Sequence, residues 1–353
     1  MKFCELLPAA DGVLLQGDPR TEVRSLCCDS RRVTPGALFV CLPGQHTDGH
    51  AFAAQAAAAG AAAIVCEHPL PGLPPALPVV QVAHSRRALA QLAVRFYGEP
   101  ARRMTMIGVT GTKGKTTTAH LLAAVLTAAG RKTGIIGTNG VEWPGYRRPL
   151  HHTTPESCDL QALLRRMADD GCDACVMEVS SLGLKMDRVR GIHYDLGIFT
   201  NLSPDHIGPG EHASFAEYRA WKSVLFRRCT VGVVNADDPQ TPELLRLHTC
   251  RVVTYGIDQP ADWRAAADFS LRRAPGVLGT AFTAAGPGSP PAAYEVPMPG
   301  RFSVYNALAV LAAAGVLGLP GDAVRRGLAT AAVTGRVEPL PLDAPFTVVL
   351  DYA

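Results

Sequence analysis

The sequence predicts an α/β fold: a small N-terminal α/β unit, then a larger, mostly parallel sheet with helices on both faces. Three observations carry that expectation. Between residues 101 and 335, apolar runs of strand length alternate with longer helical runs, the pattern of a helix-covered parallel sheet. The stretch Ile107-Gly-Val-Thr-Gly-Thr-Lys-Gly-Lys-Thr-Thr117 joins one such strand to one such helix through a glycine-rich turn. Residues 268 to 298 break the alternation with short strands joined by Gly/Pro turns, which reads as an antiparallel β excursion.

Composition bounds the function classes. At 353 residues the chain suits two to three domains, and a hydrophobic content of 47% supplies real cores. Charged residues at 18% set it apart from disordered chains, and a net charge of +3 gives no field that would recruit nucleic acid. Met1-Lys-Phe-Cys-Glu5 leads into no long apolar segment, so no signal peptide is expected, and no run is long enough to span a membrane. Ten cysteines without a regular framework fit free thiols in a reducing cytoplasm. Cys172 and Cys175 have metal or redox spacing, but they lack a second pair and read as core thiols.

Residues 1 to about 100 form the first unit, with strands around Gly12–Gln16 and Gly36–Cys41. Ala51 to Val65 reads as a helix running into a strand, helix Ser85–Tyr97 closes the unit, and Gly98-Glu-Pro100 marks the boundary. Two loop clusters, Cys28-Asp-Ser-Arg31 and Gly44-Gln-His-Thr-Asp-Gly49, carry the small hydrogen-bonding side chains that both plain turns and ligand rims use. The second unit opens with strand Met104–Val109 and helix Thr116–Ala129, stopped by Gly130. Strand Thr133–Gly137, helix Cys158–Asp169 and strands Ala174–Val179 and Tyr194–Thr200 follow. Then come helix Ser214–Phe226 and strands Thr230–Asn235 and Arg251–Tyr255. Helices Ser303–Leu317 and Ala323–Ala332 lie beyond the β excursion. The final apolar run, Phe346 to Leu350, is a buried-type strand that needs partners on both sides; it reads as the opening of a third domain, and the chain as a fragment.

The chemistry starts at the glycine-rich turn. Glycines let backbone N–H groups approach phosphate oxygens, and the following helix adds the positive end of its dipole. Lys115 would then reach the β/γ-phosphates and the Thr116 hydroxyl would ligate Mg²⁺. Val109 stands where the longer phosphate-loop spacing wants glycine, so the shorter G-x-x-G-K-T remains, which alone also fits a plain turn with a solvated lysine. Strand ends are where an open α/β sheet holds its ligands. Glu178 closes one strand, Asp205 and His206 follow another, and Asn235-Ala-Asp-Asp238 closes a third. A single carboxylate at such an end is usually a cap; three ends facing one phosphate loop favour Glu178 and His206 as metal ligands.

Gly111-Thr-Lys-Gly-Lys-Thr-Thr117, Thr153-Thr-Pro-Glu156, Met177-Glu-Val-Ser-Ser181, Thr200-Asn-Leu-Ser-Pro-Asp-His206, Asn235-Ala-Asp-Asp238 and Pro299-Gly-Arg-Phe302 stand in the order typical of the Mur ligases. From about residue 23 to Ala353 the chain resembles that family, and within it the branch that adds the third residue of the peptidoglycan stem peptide. The resemblance implies an ADP-forming acid–amino-acid ligase that uses ATP and Mg²⁺. Its substrates would be UDP-N-acetylmuramoyl-L-alanyl-D-glutamate and a free amino acid, meso-diaminopimelate or L-lysine. It implies a UDP-sugar-binding domain over 1–100, an ATP-binding domain over 101–335, and a Rossmann-like C-terminal domain represented only by a linker and first strand in 336–353. A cytoplasmic monomer without nucleic-acid partner or membrane insertion is the matching expectation.

Residue by residue, the resemblance implies ATP contacts from Gly111, Thr112, Lys113, Gly114, Lys115, Thr116 and Thr117, and from Asn306, Arg336 and Asp351. Ser30, with Cys28 and Asp29 before it, and Gln45, His46 and Thr47 resemble uridine contacts; Thr153, Thr154, Ser180 and Arg188 match positions that hold the muramoyl-peptide. Lys115, Glu178, His206 and Lys222 match the catalytic set, with Thr116, Glu178, His206 and a carbamylated Lys222 as metal ligands. A carbamate is an anion that can ligate Mg²⁺, where an ammonium would repel it; without the resemblance Lys222 reads as an ordinary helix-face lysine. Departures from the family pattern fall at Leu182, Met186, Ser303 and the loop Ile207-Gly-Pro-Gly-Glu-His212. Rival readings are a folylpolyglutamate synthase-like ligase, disfavoured by Thr116-Thr117 and the long N-terminal segment, a non-catalytic nucleotide-binding protein, and a small-molecule kinase.

Overall fold

The structure is a computed structural model that describes residues 1–353 apart from 45–46, 275–276, 341–347 and 352–353. The chain forms two compact units. One comprises residues 1–102 with 155–166 and 185–192; the other comprises 103–154, 167–184 and 193–353.

The first unit runs α1 (Phe3–Ala10), β1 (Gly12–Gln16), β2 (Ser25–Cys27), β3 (Ala37–Val40), α2 (Ala53–Ala58), β4 (Ala63–Cys66), β5 (Val79–Val82) and α3 (Ser85–Phe96). The sheet order is β1-β5-β4-β3-β2, parallel except for the antiparallel edge strand β1. β3 and β4 are apolar at every position and buried on both faces, as parallel strands are. Successive side chains alternate between two cores. Leu38 and Val40 pack with Phe3, Leu6, Leu89 and Leu92, whereas Phe39 and Cys41 pack with Ala53, Ala56 and Ile64. Three elements here escape sequence reading: α1 contains Pro8, β2 is only a three-residue strand, and the four-residue β5 follows a proline-rich stretch.

The second unit begins with β6 (Thr105–Thr110), α4 (Lys115–Ala128), β7 (Thr133–Gly137), β8 (Gly140–Trp143) and β9 (Tyr146–Arg148). Helix α5 (Ser157–Asp169) crosses from the first unit into the second, followed by β10 (Ala174–Glu178) and α6 (Ser181–Lys185). β11 (Tyr194–Phe199), α7 (Phe215–Ser223), β12 (Cys229–Asn235), α8 (Thr241–Leu244) and β13 (Arg251–Gly256) continue it. Then come β14 (Trp263–Ala265), β15 (Ser270–Ala274), β16 (Val277–Gly286), β17 (Ser289–Val296), α9 (Arg301–Val316) and α10 (Gly321–Thr330). The sheet order is β15-β16-β14-β13-β12-β11-β6-β10-β7-β8-β9, with β17 added on β16. From β14 to β7 every pairing is parallel; the hairpin β8–β9 and the strands β15–β17 are antiparallel additions at the two ends.

This order places a topological switch at β6. The chain leaves β6 toward β7, returns to insert β10 between them, and then crosses to β11 on the other flank. Ligands of open α/β sheets bind where strand order reverses in this way, beyond the carboxyl ends of the strands. Helices α4, α9 and α10 cover one face, joining Leu121, Leu122, Val125, Leu308, Leu311 and Leu328 to Ile107, Val109, Val176 and Ile198 of the central strands.

The described part of the C-terminal run stands exposed, without the partners on both sides that its apolarity calls for. β18 (Glu338–Pro339) and β19 (Val349–Leu350) form a two-stranded antiparallel pair. Val348, Val349 and Leu350 are 36%, 37% and 49% exposed, so the described part of this run is a surface strand. Its apolarity signals a preference for burial but does not supply the partner. Phe346 and Thr347 lie outside the described residues.

Candidate active site

The glycine-rich turn leaves β6 pinned from both sides. Val179 N–H donates to the Val109 carbonyl at 2.8 Å, and Thr200 N–H donates to that of Thr110 at 3.0 Å. Gly111 has φ +150°, and a Cβ there would lie 1.9 Å from Thr200 Oγ1. Gly114 has φ +85°, and a Cβ there would lie 2.6 Å from Asn306 Oδ1. Both positions therefore require glycine, for backbone conformation and for space.

Loop 200–203 holds the turn like a template. Asn201 Oδ1 accepts from Lys113 N–H at 3.0 Å and its Nδ2 donates to the Lys113 carbonyl at 3.0 Å. Thr200 Oγ1 donates to that carbonyl at 2.6 Å, and Thr112 N–H donates to the Asn201 carbonyl at 2.8 Å. The Thr112 hydroxyl sits 3.2 Å from Tyr218 Oη and accepts from Ser203 N–H at 3.0 Å. Lys113 points outward, 3.4 Å from Asp205. Thr116 is buried in the first turn of α4 and Thr117 is half-buried beside it.

Two ammonium groups converge on one oxygen. Lys115 Nζ donates to the carbonyls of Gly111 and Thr112 at 3.0 and 2.9 Å. Lys222 Nζ donates to the Gly111 carbonyl at 2.8 Å and lies 4.5 Å from the centroid of the Tyr218 ring. Burial pushes Lys115 below its ordinary range, partly offset by the Glu178 carboxylate. Burial pushes Lys222 well below its ordinary range, and the Lys115 charge adds to that. Burial also pushes the Tyr218 phenol up to about 12, so it stays protonated.

On the other flank Glu178 ends β10 in register with Val109, almost fully buried. Its Oε1 accepts from Thr138 N–H at 2.8 Å and its Oε2 from the Thr138 hydroxyl at 3.2 Å. A Cβ on Gly137 would lie 2.2 Å from Oε1, so that glycine makes room for the carboxylate. Thr153 Oγ1 is 3.1 Å from Thr138 Oγ1, and Thr154 Oγ1 donates to the Glu178 carbonyl at 2.9 Å and accepts from Ser180 N–H at 3.0 Å. Thr153, Thr154 and Ser180 therefore gather around one strand end. Thr116 hydroxyl and Glu178 carboxylate are hard oxygen donors, a set that suits Mg²⁺.

His206 stands differently. It has φ +54°, its side chain is 49% exposed, and Nδ1 lies 2.8 Å from Glu211 Oε1. The imidazole at the heart of this region is instead His212, fully buried, with Nε2 2.9 Å from Ser181 Oγ and its ring 5.3 Å from that of Tyr218. Sequence reading passed over His212 because its loop departs from the family pattern, and it passed over Thr138 because a lone threonine after a strand carries no signal. The side chains of the third strand end hydrogen-bond to neighbouring backbone. Asn235 Nδ2 donates to the Thr200 carbonyl at 2.9 Å, Asp238 accepts from Leu202 N–H at 2.7 Å, and Asp237 accepts from Ile257, Asp258 and Gln259 N–H.

Asn306 reaches the turn from α9 and accepts from the Thr118 hydroxyl at 3.3 Å. Arg336 is half-buried, and its charge is felt at Lys115. Asp351 is exposed and accepts from the Val337 N–H at 3.1 Å, one residue past Arg336.

In the first unit Ser30 opens a short 3₁₀ turn capped by Asp29, and Thr47 is exposed; Gln45 and His46 lie outside the described residues. His50 braces the loop that carries Thr47. Its Nδ1 lies 2.5 Å from Asp48 Oδ1 and its Nε2 accepts from Glu67 N–H at 2.8 Å. With both ring nitrogens committed, the cluster with nearby His68 reads as a brace rather than a metal site. Arg188 and Arg86 both grip the Glu156 carboxylate, Arg188 Nη2 at 2.8 Å and Arg86 Nη1 at 3.3 Å.

Residues 109–314 match the Mur ligase middle domain, and residues 22–97 match the catalytic domain of the Mur ligase family. This chain is a Mur ligase. UDP-N-acetylmuramoyl-L-alanyl-D-glutamate–2,6-diaminopimelate ligase from Halalkalibacterium halodurans is 39% identical over 366 residues, covering 100% of this ligase and 72% of the relative. The enzyme of the same name from Geobacillus thermodenitrificans is 40% identical over 363 residues, with the same coverage. A solved structure of a UDP-N-acetylmuramoyl-L-alanyl-D-glutamate–2,6-diaminopimelate ligase superposes with a TM-score of 0.82 at 27% identity, covering 100% of the ligase and 71% of that chain. Folylpolyglutamate synthase of Mycobacterium tuberculosis superposes over 74% of the ligase and 66% of its own chain, with a TM-score of 0.60 at 23% identity, a likeness of fold alone.

Proposed function

We propose that this ligase forms the amide bond between UDP-N-acetylmuramoyl-L-alanyl-D-glutamate and a diamino acid, driven by conversion of ATP to ADP. The observation that carries the reading is the convergence of Lys115, Lys222, Thr116 and Glu178 on the switch point at the ends of β6 and β10. The names of the 39–40% identical relatives support diaminopimelate as the amino acid.

In this reading the turn Gly111–Thr117 offers its N–H groups to the ATP phosphates, and Lys115 turns from the Gly111 and Thr112 carbonyls to the transferring phosphoryl group. Asn306 and Arg336 hold the nucleotide further out. The D-glutamate carboxylate attacks the γ-phosphate, giving an acyl phosphate and ADP. The incoming amine then attacks that carbonyl and expels phosphate. Thr116 and Glu178, with His206 if it turns from Glu211, would hold Mg²⁺, which would supply charge neutralisation at the phosphates. Thr138 fixes the Glu178 carboxylate through both oxygens, which orients it before substrate arrives.

Lys222 fits carbamylation. Adding CO₂ requires a neutral amine, and burial beside Lys115 favours that form. The carbamate would convert a repelling cation into an anion facing Lys115. Ser30, Gln45, His46 and Thr47 are assigned to the uridine nucleotide, Thr153, Thr154, Ser180 and Arg188 to the muramoyl-peptide, and Asp351 to the nucleotide. The domain division at about residues 100 and 335, a monomeric state and a cytoplasmic location belong to the same proposal; among the described residues no helix is long and apolar enough to cross a membrane.

The test is ADP release measured with UDP-N-acetylmuramoyl-L-alanyl-D-glutamate and either meso-diaminopimelate or L-lysine. Stimulation by diaminopimelate supports the reading in full, stimulation by lysine alone revises the amino acid, and stimulation by neither rejects it.

A further inference from the structure

Ten cysteines are present as free thiols, and two of them meet across the first unit. Cys28 Sγ lies 3.8 Å from Cys158 Sγ, although the residues are 130 positions apart in sequence. Cys28 follows β2 directly and is half-buried; Cys158 lies in the first turn of α5 and is 4% exposed. The same two segments are tied again one step further along. Arg32 donates to both oxygens of Asp159 at 2.8 and 3.2 Å, next to Cys158. Between these ties runs the turn Asp29–Arg32, in which Asp29 accepts from Arg31 N–H at 3.0 Å.

A disulfide requires sulfurs about 2.05 Å apart, so bond formation must close a gap of roughly 2 Å. Cys158 is fixed in a helix and packed with Leu89, Leu92 and Ala93 in the core, so it cannot give. The turn can, because it is tethered mainly through side chains. We propose that Cys28 and Cys158 form an oxidation-sensitive thiol pair whose disulfide draws in the turn Cys28–Arg32 and weakens binding of the UDP-muramoyl substrate. The substrate effect rests on the uridine role of Ser30; the disulfide does not.

The oxidant class is a hydroperoxide. The more exposed Cys28, as thiolate, attacks a peroxide oxygen; the O–O bond breaks, and a sulfenic acid forms on Cys28 with loss of hydroxide. The Cys158 sulfur then attacks the Cys28 sulfur, its thiol proton leaving with the sulfenic hydroxyl as water. Two thiols lose two electrons and hydrogen peroxide becomes two waters. The contact with Cys28, and then burial, hold the Cys158 thiol well above its ordinary range, which suits it to the second step rather than the first. A dithiol reductant reverses the bond. Cys229 and Cys250 are also neighbours, but both are buried, at 4% and 8% exposure, away from soluble oxidants.

The experiment treats the intact protein with hydrogen peroxide, blocks remaining thiols, and maps disulfide-linked peptides by mass spectrometry. KM values are measured before and after. The expected result is a Cys28–Cys158 peptide, a KM for UDP-N-acetylmuramoyl-L-alanyl-D-glutamate raised several-fold with KM for ATP unchanged, and recovery on adding dithiothreitol. C158S keeps the kinetics of the reduced protein and loses the peroxide response; C158A serves if C158S does not fold. No Cys28–Cys158 peptide under conditions that oxidise the exposed Cys4 overturns the pair. A linked peptide with unchanged KM overturns the control of binding. If the UDP substrate is not turned over at all, the proposed function fails, and the peptide map still decides whether the pair forms.

Discussion

Lys115 and Lys222 donate to the same backbone oxygen, that of Gly111, at 3.0 and 2.8 Å. Burial disfavours the charged form of both amines and pushes both below their ordinary range, and the Lys115 charge pushes Lys222 further down. The shared oxygen links the phosphate turn to the helix that follows the His206 loop.

Lys222→Met is expected to abolish ligase activity while stabilising the fold by about 1 kcal/mol at neutral pH, on the order of 2–4 °C in Tm. The sign follows from its depressed pKa: between the folded value and the ordinary 10.5, the unfolded chain binds the extra proton, so native stability rises with pH. The stability gap between variant and parent should therefore shrink as pH is raised. Urea titrations at several pH values check this, and a gap independent of pH means that folding leaves the pKa of Lys222 where it is in the unfolded chain, which overturns the prediction.

Glu178 is held by Thr138 and accommodated by Gly137. Glu178→Gln should lower kcat by about 10²-fold or more, since it removes charge facing the phosphates. Gly137→Ala should act on the same group without touching it chemically, because the new Cβ falls 2.2 Å from Oε1. The expected readout is a raised Mg²⁺ requirement, measured by activity against free Mg²⁺, in a protein that still folds.

Gly111→Ala combines a φ of +150° with a Cβ 1.9 Å from Thr200 Oγ1. Loss of nucleotide binding is expected, with destabilisation of about 1–3 kcal/mol from strain and displacement of the template loop. Calorimetric titration with ADP and thermal melts report the two effects separately.

His206 and His212 should part company. His212→Ala removes a buried partner of Ser181 and should cost about 1–3 kcal/mol of stability. His206→Ala changes a half-exposed side chain and should leave Tm within about 1 °C while lowering activity. Equal Tm losses in both variants contradict the division of roles.

The phosphate turn was legible because its chemistry is local: glycines, lysine and threonine within seven residues specify a conformation and a charge. The parallel sheet was legible from the predominantly apolar runs of β6, β10, β11 and β12, polar mainly near their ends, a pattern that burial on both faces explains. Thr138 and His212 were not, because the partners that give them meaning, Glu178 and Ser181, are 40 and 31 residues away and meet them only after the sheet has closed. The hairpin β8–β9 did leave a mark, the Pro144-Gly145 turn between Trp143 and Tyr146, that was passed over. The run Val348–Leu350 was legible as a strand in want of partners, since its apolarity records a preference for burial that its exposure leaves unmet.

Residues 155–166 and 185–192 belong to the first unit although they are encoded within the second. The core around Phe3, Leu38 and Leu89 includes Cys158, and the ion pair of Arg32 needs Asp159. On the ribosome, then, the N-terminal unit cannot be completed when Arg102 emerges; it must wait, partly formed, until Ile192 has been translated. The strand β6 and its phosphate turn are synthesised during that wait, which couples the maturation of the two units in time as well as in sequence.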